Sequence, residues 1–176
     1  YEILIGLVGS EMCIRDRLAD YPNLLVCGTF SKSRSLAGLR LGFAIGSAEL
    51  IGVLEAVKNS YNSYTVDNLS LLCGAAAMDD EAYFAKTTAA VITTRERVRR
   101  ALEQMGFSVL PSRTNFLFAT KEGASMRELF LYLKQRHIYI RYFDLPRIDN
   151  YVRITIGTDA QMDAFLQGTE AFLRGE

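Results

Sequence analysis

The chain contains no tryptophan, one histidine, three prolines and three cysteines among its 176 residues. These scarcities narrow what it can be. Cys13, Cys27 and Cys73 are odd in number, scattered, and lack metal-ligand spacing, which argues against a disulfide scaffold or a metal site. The expectation is a reduced, cytoplasmic protein without a metal. His137 follows Lys134-Gln135-Arg136 and reads as a surface residue near a helix end, not as a base or ligand. Lysine plus arginine and aspartate plus glutamate both number 20, so the formal net charge is zero. Nothing global directs the chain to nucleic acid or to an anionic membrane. No apolar run approaches the roughly 18 residues of a membrane span. Arg95, Arg97, Arg99 and Arg100 are interleaved with Glu96 and Glu103 in a helical stretch, and read as a solvated helix face. There is no internal repeat and no low-complexity segment. The 49% apolar content suffices for one ordinary domain or for part of a larger one.

Against this background one segment stands out, Thr29-Phe30-Ser31-Lys32-Ser33-Arg34-Ser35-Leu36-Ala37-Gly38-Leu39-Arg40-Leu41-Gly42. It sets a lysine in a loop of small residues, with hydroxyls on both sides and an arginine downstream. A lysine that forms a Schiff base must be able to shed its proton near neutral pH, and burial or a neighbouring cation favours that. Thr29 and Ser31 can donate to phosphate oxygens, and Arg40 can grip the same phosphate with two parallel hydrogen bonds. Gly38 and Gly42 allow a tight turn or close passage beside a ligand. A Ser-Lys pair alone would be only a solvated lysine; the whole run carries the reading.

That run resembles the cofactor-lysine signature of the aminotransferases that use pyridoxal 5′-phosphate (PLP). The resemblance implies an α/β fold of type I, with Lys32 as the catalytic lysine bound to PLP, and Thr29, Ser31 and Arg40 on the cofactor phosphate. It covers the chain from Leu18 onward. It implies residues 18–79 as the end of the large PLP-binding lobe, 80–105 as a connecting helix, and 106–176 as a small mixed α/β lobe. Residues 7–17, LVGSEMCIRDR, resemble the translation of a transposase adapter, so residues 1–17 are expected to be a sequencing artefact.

The pattern along the chain fits this division. Leu24 to Cys27 and Leu41 to Ile45 are short apolar runs expected as strands, the first of them buried. Ser47 is expected to cap a helix to about Lys58, and Asp67 one to about Met78. Asn59 to Thr65 reads as a loop. Helical spacing of Phe84, Val91, Val98 and Leu102 predicts a long helix from Asp80 to Met105, stopped by Gly106. Strands are expected at Phe107–Leu110, Asn115–Thr120, Ile138–Phe143 and Tyr151–Ile156, with helices at Ser125–Arg136 and Asp159–Arg174.

Alternation sorts the last strands. Val152, Ile154 and Ile156 share one face, leaving Tyr151, Arg153 and Thr155 on the other. Ile138, Ile140 and Tyr142 likewise oppose Tyr139 and Arg141. Spacing alone is equally consistent with arginines that pair with surface acids. The strings around them resemble the histidinol-phosphate branch of the aminotransferases. There Arg153 would clamp an α-carboxylate, Arg141 would bind the substrate's phosphate, and Asn115 would lie near the substrate.

The branch implies amino-group transfer between glutamate and imidazole acetol phosphate, giving 2-oxoglutarate and histidinol phosphate, in a homodimer. It also implies a glycine-serine loop, a ring-stacking aromatic and an aspartate at the pyridinium nitrogen; no residue here is assigned to them. A threonine-phosphate decarboxylase, a general aromatic aminotransferase, and the aminotransferase-like sensor domain of a transcription regulator are the alternatives.

Overall fold

The computed structural model describes residues 16–176. The chain divides into two compact units that meet at Thr88 and Ala89, inside a single long helix.

In the first unit, β1 (Val26–Thr29) pairs antiparallel with β2 (Gly42–Ile45). Between them lie the short helix α1 (Phe30–Ser33) and a 3-10 turn at Ala37–Leu39. β1 starts later than the apolar run suggests, because the amide of Leu24 donates to the carbonyl of Tyr21 in a turn. It is also not a buried strand: Cys27 is exposed, and β1 pairs only with β2 among the described residues. The ring of Phe43 covers Gly28 directly across the ladder, where any Cβ would collide with it. Two helices follow, α2 (Ala48–Tyr61) and α3 (Asn68–Asp79), capped by Ser47 and Asp67 as their sequences predict. Asn59 to Tyr61, expected as loop, continue α2. Leu41 is buried and packs onto Gly74 of α3, which locks the end of the lysine loop against the helix. Val53 and Val57 of α2 and Leu69 and Leu72 of α3 are all exposed.

The long helix α4 (Glu81–Gln104) ends at Gly106, whose φ of +83° is the left-handed geometry that glycine adopts without strain. Its arginines are not uniformly solvated. Arg99 does pair with Glu96 and Glu103 on the surface. Arg95, however, is buried, and its guanidinium donates to the carbonyl of Thr114 at 2.8 Å. Such a buried cation is tolerable because it is both hydrogen-bonded and charge-paired: its Nε donates to Glu96 at 3.2 Å.

The second unit is a four-stranded antiparallel sheet in the order β3-β4-β6-β5, formed by β3 (Ser108–Val109), β4 (Phe116–Thr120), β5 (Arg141–Tyr142) and β6 (Val152–Thr155). Helices α5 (Met126–Gln135) and α6 (Asp159–Arg174) supply Met126, Leu129, Leu133, Met162 and Phe165 to one core. The sheet supplies Leu117, Ala119, Val152 and Ile154, all essentially inaccessible. The period-2 pattern therefore holds, and it leaves the opposite face of the sheet free of the core.

β5 is shorter than the run Ile138–Phe143 suggests. The chain leaves α5 through His137 at φ +60°, and the amide of Ile138 returns to the carbonyl of Leu133. That helix-ending arrangement uses the donor a strand would need. Ile138 and Ile140 still reach the core without ladder pairing.

Thr158 caps α6 in a reciprocal box with Gln161. Arg97 ties α4 to the same end, with bonds of 2.9 Å to Asp159 and 2.6 Å to Asp163. The Arg97 guanidinium, aided by the Thr94 hydroxyl, holds the Asp159 carboxyl below the usual carboxylate range. A depressed folded value means that the stabilisation is present above the unfolded pKa of about 3.9 and is lost as pH falls through the folded one. Asp159→Asn should therefore lower the thermal midpoint near neutral pH. The difference from the parent should shrink as the medium is taken below about pH 4; a difference that does not vary with pH would disprove this linkage.

Candidate active site

The first group of residues is built by β1 and α1. Thr29 is extended and caps α1, with its hydroxyl accepting from the amide of Ser31 at 3.1 Å. The same hydroxyl lies 2.9 Å from the hydroxyl of Ser31. The carbonyl of Leu41 receives the amide of Phe30 at 3.1 Å, so the loop closes on itself one residue beyond Arg40. Arg40 holds φ +54° and ψ +33°, a left-handed backbone that costs a non-glycine residue about 1–2 kcal/mol. Ser35 is held at φ +57° in the same loop. Two such positions in one loop are strain that the surrounding structure maintains, and such strain gathers at ligand sites.

Lys32 and Arg40 are both exposed, and neither forms an ion pair among the described residues. The guanidinium of Arg40 reaches only the carbonyl of Ala37, at 3.1 Å. Two hydroxyls, an amine and a guanidinium with no acid among them are a donor set for a dianion beside an aldehyde. That set fits PLP, which carries a phosphate and an aldehyde.

The second group lies on the core-free face of the sheet. Arg153 of β6 stands directly opposite Phe118 on one side and Arg141 on the other. Residues directly opposite in an antiparallel pair point the same way, with Cβ atoms about 4.5–5.5 Å apart. The two arginines are therefore neighbours, and like charges so placed are destabilising. Neither has an acidic partner among the described residues. Arg153 is half-buried, and its Nε is shielded from solvent without any hydrogen-bond partner. Arg141 is exposed, and it opens a two-residue strand instead of sitting at mid-strand.

Asn115 immediately precedes β4, and its carbonyl accepts from the amide of Ile156 at 2.9 Å. Its neighbours are fixed too. Arg95 holds the carbonyl of Thr114, and the hydroxyl of Ser112 donates to that of Phe116 at 2.6 Å. Asn115 is thereby placed at the Ile156 end of β6, in the same sheet as Arg153. Lys32, Thr29, Ser31 and Arg40 belong to the first unit; Asn115, Arg141 and Arg153 belong to the second.

Aromatic side chains lie beside the arginines, a proximity that no single strand's pattern announces. The guanidinium of Arg153 lies 5.4 Å from the ring of Phe116 and 5.7 Å from that of Phe143. Phe118 stacks on Tyr151 at 4.8 Å. Alternation from Tyr139 and Arg141 to Phe143 signals only a shared face. Among the described residues no group of histidine, cysteine and carboxylates could hold a metal, and no helix is long and apolar enough to cross a membrane.

The family model for aminotransferase class I and II matches residues 2–168, a span that takes in the whole of the adapter-like peptide, residues 7–17. Of that peptide, residues 7–15 lie outside the described structure. The histidinol-phosphate aminotransferase of Chromohalobacter salexigens is 52% identical over 154 residues, which are 88% of this chain and 44% of that protein. The one from Clostridium botulinum is 46% identical over 158 residues, again 44% of its length. The chain thus spans less than half the length of these curated relatives. The solved histidinol-phosphate aminotransferase of Clostridium acetobutylicum agrees with a TM-score of 0.88 over 99% of this chain and 53% of its own. At 19% identity that likeness concerns the fold alone. The enzyme from Sinorhizobium meliloti, solved in complex with pyridoxal-5′-phosphate, gives 0.77 at 28% identity, over 89% of this chain and 42% of its own. Fold, signature lysine loop and family match agree, and the chain belongs to the aminotransferase class I and II family.

Proposed function

We propose that this chain is part of a PLP-dependent histidinol-phosphate aminotransferase, a homodimeric cytoplasmic enzyme of histidine biosynthesis. The observation that supports it best is the pair Arg141 and Arg153, opposite each other and without an ion-pair partner among the described residues. The half-identical curated relatives carry the same activity in their names. In this reading residues 18–79 belong to the cofactor lobe, 80–105 connect, 106–176 form the small lobe, and residues 1–17 are foreign.

PLP, when bound, supplies an electron sink for chemistry at the substrate's Cα–H. Thr29, Ser31 and Arg40 would hold its phosphate, and Lys32 Nζ its aldehyde carbon. Lys32 Nζ would also be the base that takes up the proton leaving the substrate's Cα. Arg141 and Arg153 orient that Cα–H by gripping the substrate's anionic end. Histidinol phosphate has no α-carboxylate. Its phosphate is its one anion, so both arginines read the same group, whereas glutamate's carboxylate is held by Arg153. Asn115 lies beside the substrate at the end of β6.

Two measurements on a full-length protein carrying these residues test the proposal. Borohydride treatment with PLP should add a pyridoxyl mass to the peptide containing Lys32, and Lys32→Ala should remove that label. A label on another lysine contradicts the assignment. A charge-assisted hydrogen bond contributes on the order of 1.5–3 kcal/mol, or about one to two decades in kcat/KM. Arg141→Ala should lower kcat/KM for histidinol phosphate by that amount and change glutamate turnover far less, whereas Arg153→Ala should impair both. An Arg141→Ala enzyme with unchanged kinetics on histidinol phosphate would refute the phosphate role.

A further inference from the structure

We infer that Phe143 is the positioning residue of this anion site: its ring is the platform on which Arg141 and Arg153 are held side by side. The inference rests on the reading that the two arginines grip one substrate anion. It concerns a residue that neither the sequence pattern nor that reading assigns.

The register creates a problem that something must solve. β5 and β6 place two guanidinium groups on directly opposite positions of one face. With no acid ion-paired to either among the described residues, their repulsion favours splaying both side chains into solvent. An anion would then have to gather two long, mobile side chains, each with considerable rotamer entropy to lose.

Phe143 meets both. The Arg141 guanidinium carbon lies 5.5 Å from the ring centroid and that of Arg153 lies 5.7 Å from it. Both distances fall inside the roughly 6 Å over which a ring face attracts a cation. Phe116 lies near Arg153 as well, yet its ring shows no such contact with Arg141, so Phe143 is the one ring the pair shares.

The platform is itself fixed. Phe143 packs edge-on against Phe118, with centroids 6.1 Å apart and planes at 72°. Phe118 is the residue opposite Arg153 on β4, and it stacks on Tyr151 with planes at 16°. The three rings and two guanidinium groups therefore form one connected layer on the core-free face. The backbone gives Phe143 little help, because the ladder of β5 stops at Tyr142. The solvent-shielded, unpartnered Nε of Arg153 shows that this side chain is held in by packing and not by a hydrogen bond. Its terminal amines form no hydrogen bond among the described residues and stay available to a ligand.

A full-length protein carrying these residues, loaded with PLP so that the cofactor's own phosphate occupies Thr29, Ser31 and Arg40, is titrated with inorganic phosphate by calorimetry alongside its Phe143 variants. Phe143→Leu keeps an apolar side chain and removes the ring face. It should weaken phosphate binding about tenfold, the cost of ordering two freed arginine side chains. Phe143→Tyr keeps the ring and should bind within about threefold of the parent. The ring-current displacement of the Arg141 side-chain proton signals should persist in the tyrosine variant and vanish in the leucine variant, while that of Arg153, which keeps the Phe116 ring at 5.4 Å, should only diminish. If the leucine variant does not fold, Phe143→Met is read in its place.

A leucine variant that binds phosphate as the parent does overturns the role of Phe143 and leaves the shared-anion reading standing. A parent chain that binds no phosphate defeats that reading, and this inference falls with it.

Discussion

The position of β6 between β4 and β5 is the constraint on which the second unit depends. Once Leu117 pairs with Ile154 and Ala119 with Val152, those four side chains are committed to the core. The alternate residues have no choice of face, and the same ladder sets Arg153 between Phe118 and Arg141. A slip of one residue would send Arg153 into the helices and Val152 into water. Burial of the inner face thus enforces the geometry of the outer one. The site inherits its accuracy from hydrophobic packing and not from bonds among its own members.

The first unit solves a different problem with different means. Its lysine loop has almost no core beneath it, only Phe30 and Leu41 among the apolar residues being buried. Order comes instead from backbone and hydroxyl bonds: the cap from Thr29, the amide of Phe30 on Leu41, and the hydroxyl of Ser33 on the carbonyl of Thr29 at 3.0 Å. These hold two left-handed non-glycine residues in place. Strain held in this way leaves cationic groups presented and unneutralised, which is the state an anionic cofactor requires.

Much of this was legible in the residues. Caps at Ser47 and Asp67 marked helix starts, because each supplies an oxygen to amides that have no other partner. Alternation in Tyr151–Ile156 gave the face of Arg153 correctly, since a half-buried strand has only two faces. The shortness of β5 was not legible: it follows from the way α5 ends at His137, a left-handed position with no glycine to announce it. Arg95 was misread because its neighbours Arg97 and Arg99 do lie on the surface. Only the fold brings the carbonyl of Thr114 to within 2.8 Å of it. The shared ring of Phe143 was missed for a related reason. Each arginine was read along its own strand, and cross-strand proximity is absent from a single strand's pattern.

The central claim, that Arg141 and Arg153 act on one anion, is tested most directly by a double-mutant cycle. Phosphate affinity would be measured for the parent, Arg141→Ala, Arg153→Ala and the double variant. Residues gripping one ligand are strongly coupled, so the double variant should lose clearly less than the sum of the single losses, with an interaction of about 1 kcal/mol or more. Losses that add to within roughly 0.5 kcal/mol would mean two independent sites and would contradict the account.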